Sequence, residues 1–230
     1  MKHLDVAMGK SCSETGNELM EKHPWLIFGG ASGVGRALVA LGLQESRAIT
    51  ALVRNAEQAQ ALRECGATVV EGDALDARSV QTACETAGPQ ARIVSTLGSA
   101  EADYAGNRLI IDSAERYGIG HMVLVTSIGC GESWHLLSPK AREIFGHAVR
   151  EKSLAESWLK TSRLNGCILR PGGLKSGSGT GLSIRVQEEA FGLIHREDVA
   201  RQIQQVIDDD AVYGKTYFLI DPTLTQSTQF

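Results

Sequence analysis

The chain has 230 residues, 43% of them hydrophobic, a formal net charge of −4 and a sequence pI of about 5.9. That is enough apolar chain for one substantial core, and the charge excludes the basic field that nucleic acid requires. No apolar run reaches the roughly 18 residues of a membrane helix, and the polar start (Lys2, His3, Asp5, Lys10, Ser11, Glu14) holds no signal-peptide core.

Residues 1–23 are aperiodic, an extension either disordered or laid against the domain, and Pro24 marks where order begins. Leu26-Ile27-Phe28 forms the first strand, and a helix follows over about 34–44. Ile49–Val53 is the second strand. Ala56–Cys65 reads as a helix with Gly66 just past its end. Ala67–Glu71 is the third strand, and Asp76 caps a helix over about 77–86. Ile93–Thr96 is the fourth strand. The long helix over about 103–117 puts Leu109, Ile110 and Ala114 on one face and Gly118 after its end. Met122–Thr126 is the fifth strand. A helix over about 140–162 leads to a sixth strand, Cys167–Arg170, stopped by Pro171. A helix at 197–208 and a strand at 216–220 complete the series. The stretch Ser176–Gly181 (SGSGTG) reads as either a mobile substrate loop or a plain surface linker.

Continuous apolar strands alternating with amphipathic helices predict an α/β, Rossmann-type, doubly wound parallel sheet. The expected layout is one domain over 24–221, with a small C-terminal substrate region and a tail at 222–230. In such folds ligands bind beyond the C-terminal ends of the strands. Those ends carry Gly29–Gly35, Arg54, Asp73, Ser95–Gly98, Ser127–Gly131 and Pro171–Gly173, so distant segments converge on one crevice.

The densest signal is Gly29-Gly30-Ala31-Ser32-Gly33-Val34-Gly35-Arg36, between the first strand and helix. Gly29 permits a tight exit from the strand. Gly33 leaves no Cβ against a phosphate, and Gly35 lets the helix sit close on the sheet. A dinucleotide diphosphate would then lie on free N–H groups at a helix N-terminus. Five scattered cysteines (Cys12, Cys65, Cys84, Cys130, Cys167) without C-x-x-C spacing read as reduced thiols of a cytoplasmic protein. The lone His135 and His195 give no metal spacing, so no metal is expected.

These motifs resemble the short-chain dehydrogenase/reductase superfamily, and within it the atypical NmrA-like and biliverdin-IXβ/flavin reductase members. The likeness spans residues 25–221. It rests on the glycine turn, Val53-Arg54-Asn55, Glu71-Gly72-Asp73, Asn107 with Ile111-Asp112-Ala114, Val125-Thr126-Ser127, Lys152-x-x-x-Glu156-x-x-Leu159, Leu169-Arg170-Pro171-Gly172 and Arg196-x-Asp198-Val199-Ala200. The resemblance implies a cofactor site from Gly29, Ala31, Ser32, Gly33, Val34, Gly35, Arg36, Arg54, Asp73, Ala74, Thr96, Leu97, Gly98, Thr126, Ser127, Lys152, Pro171, Gly172 and Gly173. Arg54 stands where a carboxylate would select NAD(H). With Arg36 it points to NADP(H), because guanidinium pairs phosphate in bidentate fashion. The amides of Gly172 and Gly173 would approach the nicotinamide carboxamide. Asp198, an acid in a first helical turn, suits a structural role.

The superfamily's Tyr-x-x-x-Lys pair is incomplete here. Lys152 is present, but Ala148 stands four residues before it, and His147 is one position off that face. Ser127, Lys152 and His147 are therefore the catalytic candidates, and Cys130, Trp134 and Leu174 the substrate-side ones, with Trp134 either a stacking platform for a flat ligand or a partly buried anchor for its loop. The reading is an NADPH-dependent oxidoreductase, acting as monomer or homodimer on a small conjugated or planar acceptor such as a flavin, quinone or tetrapyrrole. The alternative is a non-catalytic NADP(H) sensor of the NmrA type, favoured by the missing tyrosine.

Overall fold

The computed structural model describes residues 22–99 and 101–224. The expected extension up to residue 21, Cys12, and the last six residues of the tail lie outside the described residues.

The eight-stranded sheet is ordered β3-β2-β1-β4-β5-β6-β10-β8. Its strands are β1 (Trp25–Phe28), β2 (Ile49–Val53), β3 (Thr68–Glu71), β4 (Arg92–Ser95), β5 (His121–Val125), β6 (Asn165–Pro171), β8 (Ile184–Val186) and β10 (Thr216–Ile220). All neighbours pair in parallel except β8, which runs antiparallel on β10. The strand order reverses at β1 and β4, which is where an open α/β sheet leaves a crevice. β1 is fully buried, and its side chains alternate between two cores as a two-residue period demands. Trp25 and Ile27 meet α1 (Gly33–Gln44), α2 (Ala56–Glu64) and α6 (Arg196–Val206) on one face. Leu26 and Phe28 meet α3 (Ala77–Ala87), α4 (Ala105–Tyr117) and α5 (Pro139–Lys160) on the other.

Local chemistry sets the helix ends. Asn55, Asp76 and Ser138 each accept a bond from a first-turn N–H of α2, α3 and α5. Gly118 closes α4 at φ 74°. The first turns of α1 and α6 differ: neither Ser32 nor His195 makes a side-chain capping bond.

The sequence reading assigns no strand or helix between Pro171 and the helix at 197–208. The structure places three short strands there: β7 (Gly173–Lys175) and β9 (Leu193–His195), paired in parallel, and β8 on the main sheet. Ser176–Gly181 is a largely exposed loop whose second half is anchored. The N–H groups of Gly179, Thr180 and Gly181 donate to Glu197 and Asp198 at 2.8–3.0 Å, and the Thr180 hydroxyl donates to Asp221. Asp198 is buried because it holds this loop.

Candidate functional site

A cleft of about 480 Å³ opens at the C-terminal edge of the sheet, over β1 and β4. Its floor is the glycine turn. Gly29 leaves β1 at φ +86°, and a Cβ there would come within 2.6 Å of Thr96 Oγ1. A Cβ on Gly35 would lie 2.2 Å from the Gly29 carbonyl oxygen, so α1 sits against the turn at a distance only glycine allows. Gly33, at φ +54°, faces only the side chain of Arg196, and Gly98 faces open space. This bare backbone, with the uncapped N-terminus of α1, fits a dinucleotide diphosphate.

The cleft brings together Gly29, Ala31, Ser32, Gly33, Val34, Arg54, Asp73, Ala74, Thr96, Leu97, Gly98, Thr126, Lys152, Pro171 and Leu174 from the sequence-derived set. Arg54 Nη1 lies 3.6 Å from Asp73 Oδ2, and Asp73 Oδ1 accepts from the Leu75 N–H at 2.9 Å. Lys152 Nζ donates to the Leu97 carbonyl at 3.0 Å and to Asp103 Oδ1 at 2.7 Å. Asp103 is buried, which pushes its carboxyl upward against the opposing pull of Lys152. Asn107 braces this corner, accepting from Ser95 Oγ at 2.6 Å and donating to the Asp103 carbonyl at 2.7 Å.

Beneath Thr126 lies a buried ionic network. Arg170 donates to Glu156 through Nε (3.0 Å) and Nη2 (2.6 Å), and to Glu132 through Nη1 (2.7 Å). The Thr126 hydroxyl donates to Glu156 Oε1 at 2.7 Å, so the network fixes a residue of the cleft wall. The guanidinium holds the Glu132 carboxyl down at about 2.

Eight sequence-derived residues do not line the cleft. Gly35 lies behind the turn it supports. Arg36 turns away and donates to Cys65 Sγ at 3.3 Å, so it does not share a phosphate with Arg54. The Gly172 and Gly173 amides are already taken, by the carbonyls of Leu219 and Gly192 at 2.9 Å. Ser127 is half-buried and donates to the Ile128 carbonyl; His147 is exposed on α5. Cys130 is buried, with its thiol pushed up to about 11 by desolvation, so it is no exposed thiol. Trp134 is seated on α5, against Gly146 and under Arg142 and Arg150, and offers no platform to the cleft.

The sequence reading missed Asp103, Ser99, Ala102, Gln58 and Arg196. Arg196 had a usable signal, since a cation in the first turn of α6 opposes the helix dipole. Asp103 had none, because its partner is 49 residues away.

A doubly wound sheet with a glycine turn at its switch point defines a Rossmann-type dinucleotide-binding protein. The chain belongs to the NAD(P)H-binding family, whose model matches residues 29–210. It is 48% identical to the anaerobillin reductase ChuY of Escherichia coli O157:H7, covering 89% of this chain and 100% of that one with a TM-score of 0.85. A putative NAD-dependent epimerase/dehydratase of Bacillus halodurans matches at 26% identity over 88% of this chain and 96% of that one, with a TM-score of 0.75. The uncharacterized sugar epimerase YhfK of Bacillus subtilis is 28% identical over 84% of this chain and 92% of its own length. Among the described residues no helix is long and apolar enough to cross a membrane.

Proposed function

We propose that this chain reduces a conjugated acceptor of the tetrapyrrole class with NADPH, using residues 24–221 as one binding unit. The observation that carries the reading is the cleft's inventory. Its titratable lining is Arg54, Asp73, Lys152 and Arg196, with no phenol or imidazole among the described residues. Such a wall suits an anionic cofactor and an acceptor that needs little acid assistance. A tetrapyrrole spreads the incoming electron pair over its conjugated system, unlike an isolated carbonyl. The relative in E. coli reduces an anaerobillin, which favours this class over a quinone or flavin.

Bound NADPH would supply a hydride. The chain's residues do the positioning. The Gly29–Gly33 turn and the first turn of α1 hold the diphosphate. Arg54 is 66% exposed at its side chain and its ion pair with Asp73 is loose at 3.6 Å, so it can turn to pair with a 2′-phosphate. Lys152, fixed by Asp103 and the Leu97 carbonyl, retains one N–H for a ribose hydroxyl or the acceptor.

The test is NADPH consumption with a panel of open-chain tetrapyrroles, flavins and quinones, followed by loss of the acceptor's long-wavelength absorption. Turnover is expected with the tetrapyrroles and faster with NADPH than with NADH. Tight NADPH binding without turnover on any acceptor would refute it in favour of the sensor reading.

A further inference from the structure

We infer that Arg196 is the diphosphate-binding side chain of this cleft; the inference rests on the reading that the cleft takes NADPH. Three cations line the cleft, and two have carboxylate partners: Arg54 beside Asp73 at 3.6 Å and Lys152 on Asp103 at 2.7 Å. Arg196 has none among the described residues. Its recorded bond runs from Nη1 to the neutral Ser176 hydroxyl at 3.0 Å. Arg47, Arg92, Arg170 and Arg201 sit on carboxylates, whereas Arg36 also lacks one among the described residues but lies outside the cleft on Cys65, so what distinguishes Arg196 is its place in the cleft.

The position of this guanidinium is specific. A Cβ built on Gly33 would stand 3.6 Å from Arg196 Cδ and 3.7 Å from Nε, so the side chain lies across the glycine cradle. Arg196 opens α6, which packs beside α1, and neither helix has a side-chain cap. The first turn of α6 carries its own acids, Glu197 and Asp198, so the positive charge left at this spot is the N-terminus of α1 and the Arg196 guanidinium, which together favour an anion. A dinucleotide diphosphate supplies that anion. Arg196 would exchange the Ser176 hydroxyl for charge-assisted bonds to phosphate oxygens. Ser176 begins the segment whose far end is anchored by Glu197 and Asp198, and it follows β7, whose Leu174 lines the cleft. The same side chain therefore links the cofactor cradle to the acceptor side.

The experiment measures NADPH affinity by titration calorimetry for the full chain and for Arg196→Gln, Arg196→Lys and Ser176→Ala. Adenosine 2′-phosphate, which lacks the diphosphate, serves as control ligand. Arg196→Gln is expected to weaken NADPH about 10- to 100-fold, or about 1.4–2.8 kcal/mol. It should also flatten the salt dependence of binding and leave adenosine 2′-phosphate within about twofold. Arg196→Lys should recover part of the loss, and Ser176→Ala should stay within about twofold of the parent. NADPH affinity unchanged in Arg196→Gln overturns the inference while the cofactor reading stands. So does an equal loss for the control ligand, or for Ser176→Ala, which would mark an indirect effect through fold or loop. A parent chain that binds no NADPH removes the cofactor reading itself, and the inference with it.

Discussion

Removing Arg170 tests whether the buried network holds the cleft wall in place. Arg170 is fully buried and Glu156 nearly so, whereas the Glu132 side chain is 65% exposed. Arg170→Met keeps the volume and removes the cation, leaving the Glu156 carboxylate in the core with only the Thr126 hydroxyl. Breaking a buried pair from one side costs about 3–5 kcal/mol. In a chain of this size that lowers Tm by about 6–20 °C, at about 2–4 °C per kcal/mol. Glu156→Leu strands the guanidinium instead, though Glu132 still offers it a partner, so its cost is expected to be smaller. The double variant Arg170→Met/Glu156→Leu removes both buried charges and releases Glu132 to water. Its cost should therefore fall short of the sum of the single costs by about 2 kcal/mol or more. Urea unfolding of the four proteins closes the cycle. A strictly additive double variant, or an Arg170→Met cost below about 1 kcal/mol, refutes the argument that this pair is a coupled, desolvated unit.

Acid stability follows from the same network. Glu132 is held at about 2 by Arg170, against an ordinary value of 4.5, so its contribution is present above about 4.5 and is lost as pH falls toward 2. Glu132→Gln should flatten the stability profile in that window by less than about 1 kcal/mol, solvent screening the exposed side chain. A flattening above pH 6 instead would contradict the assignment. Arg54→Gln should cut the preference for NADPH over NADH by about tenfold in kcat/KM, with NADH turnover nearly unchanged; equal losses with both cofactors would mean that Arg54 does not read the 2′-phosphate. Gly35→Ala opposes two effects: helix propensity favours alanine by about 1 kcal/mol, while the new Cβ meets the Gly29 carbonyl at 2.2 Å. The clash should win, costing about 1–3 kcal/mol and NADPH binding, and a stabilised variant would show the turn to be less tight than described. Native-state thiol labelling read by peptide mass should modify Cys65, while Cys84, Cys130 and Cys167, raised to about 12, 11 and 12 by burial, react only after unfolding.

What the sequence made legible was whatever is written locally. The strand–helix alternation gave the parallel sheet, because each element announces its own period. The glycine turn was readable because its constraint, the absence of a Cβ, falls within seven consecutive residues. β7, β8 and β9 left no trace at three residues each: they exist only through pairing across the chain, Gly173 with Leu193 and Phe218 with Val186. Cys130 stands between two glycines, and Gly131 is glycine because a Cβ there would reach within 2.9 Å of Arg170 Nη2, a contact the sequence does not show. Trp134 beside that loop suggests a stacking platform, but Gly146, Arg142 and Arg150 form its seat from a helix that begins after it.

Charge shows the same division most clearly. A net charge of −4 over the chain says nothing of a cleft lined by three cations and one carboxylate. Arg36 and Arg54 both stand near the phosphate end in sequence, and only Arg54 faces the cleft; the second guanidinium comes from Arg196, more than 160 residues beyond the turn it covers. Helix geometry decided that exchange. Arg36 follows Gly35, whose face must lie flat on the Gly29 carbonyl, and the roughly 100° step to the next residue carries the arginine out to Cys65. The requirement that makes the glycine turn recognisable is thus the one that removes its neighbouring arginine from the site, and the second guanidinium of the cleft stands on α6 instead.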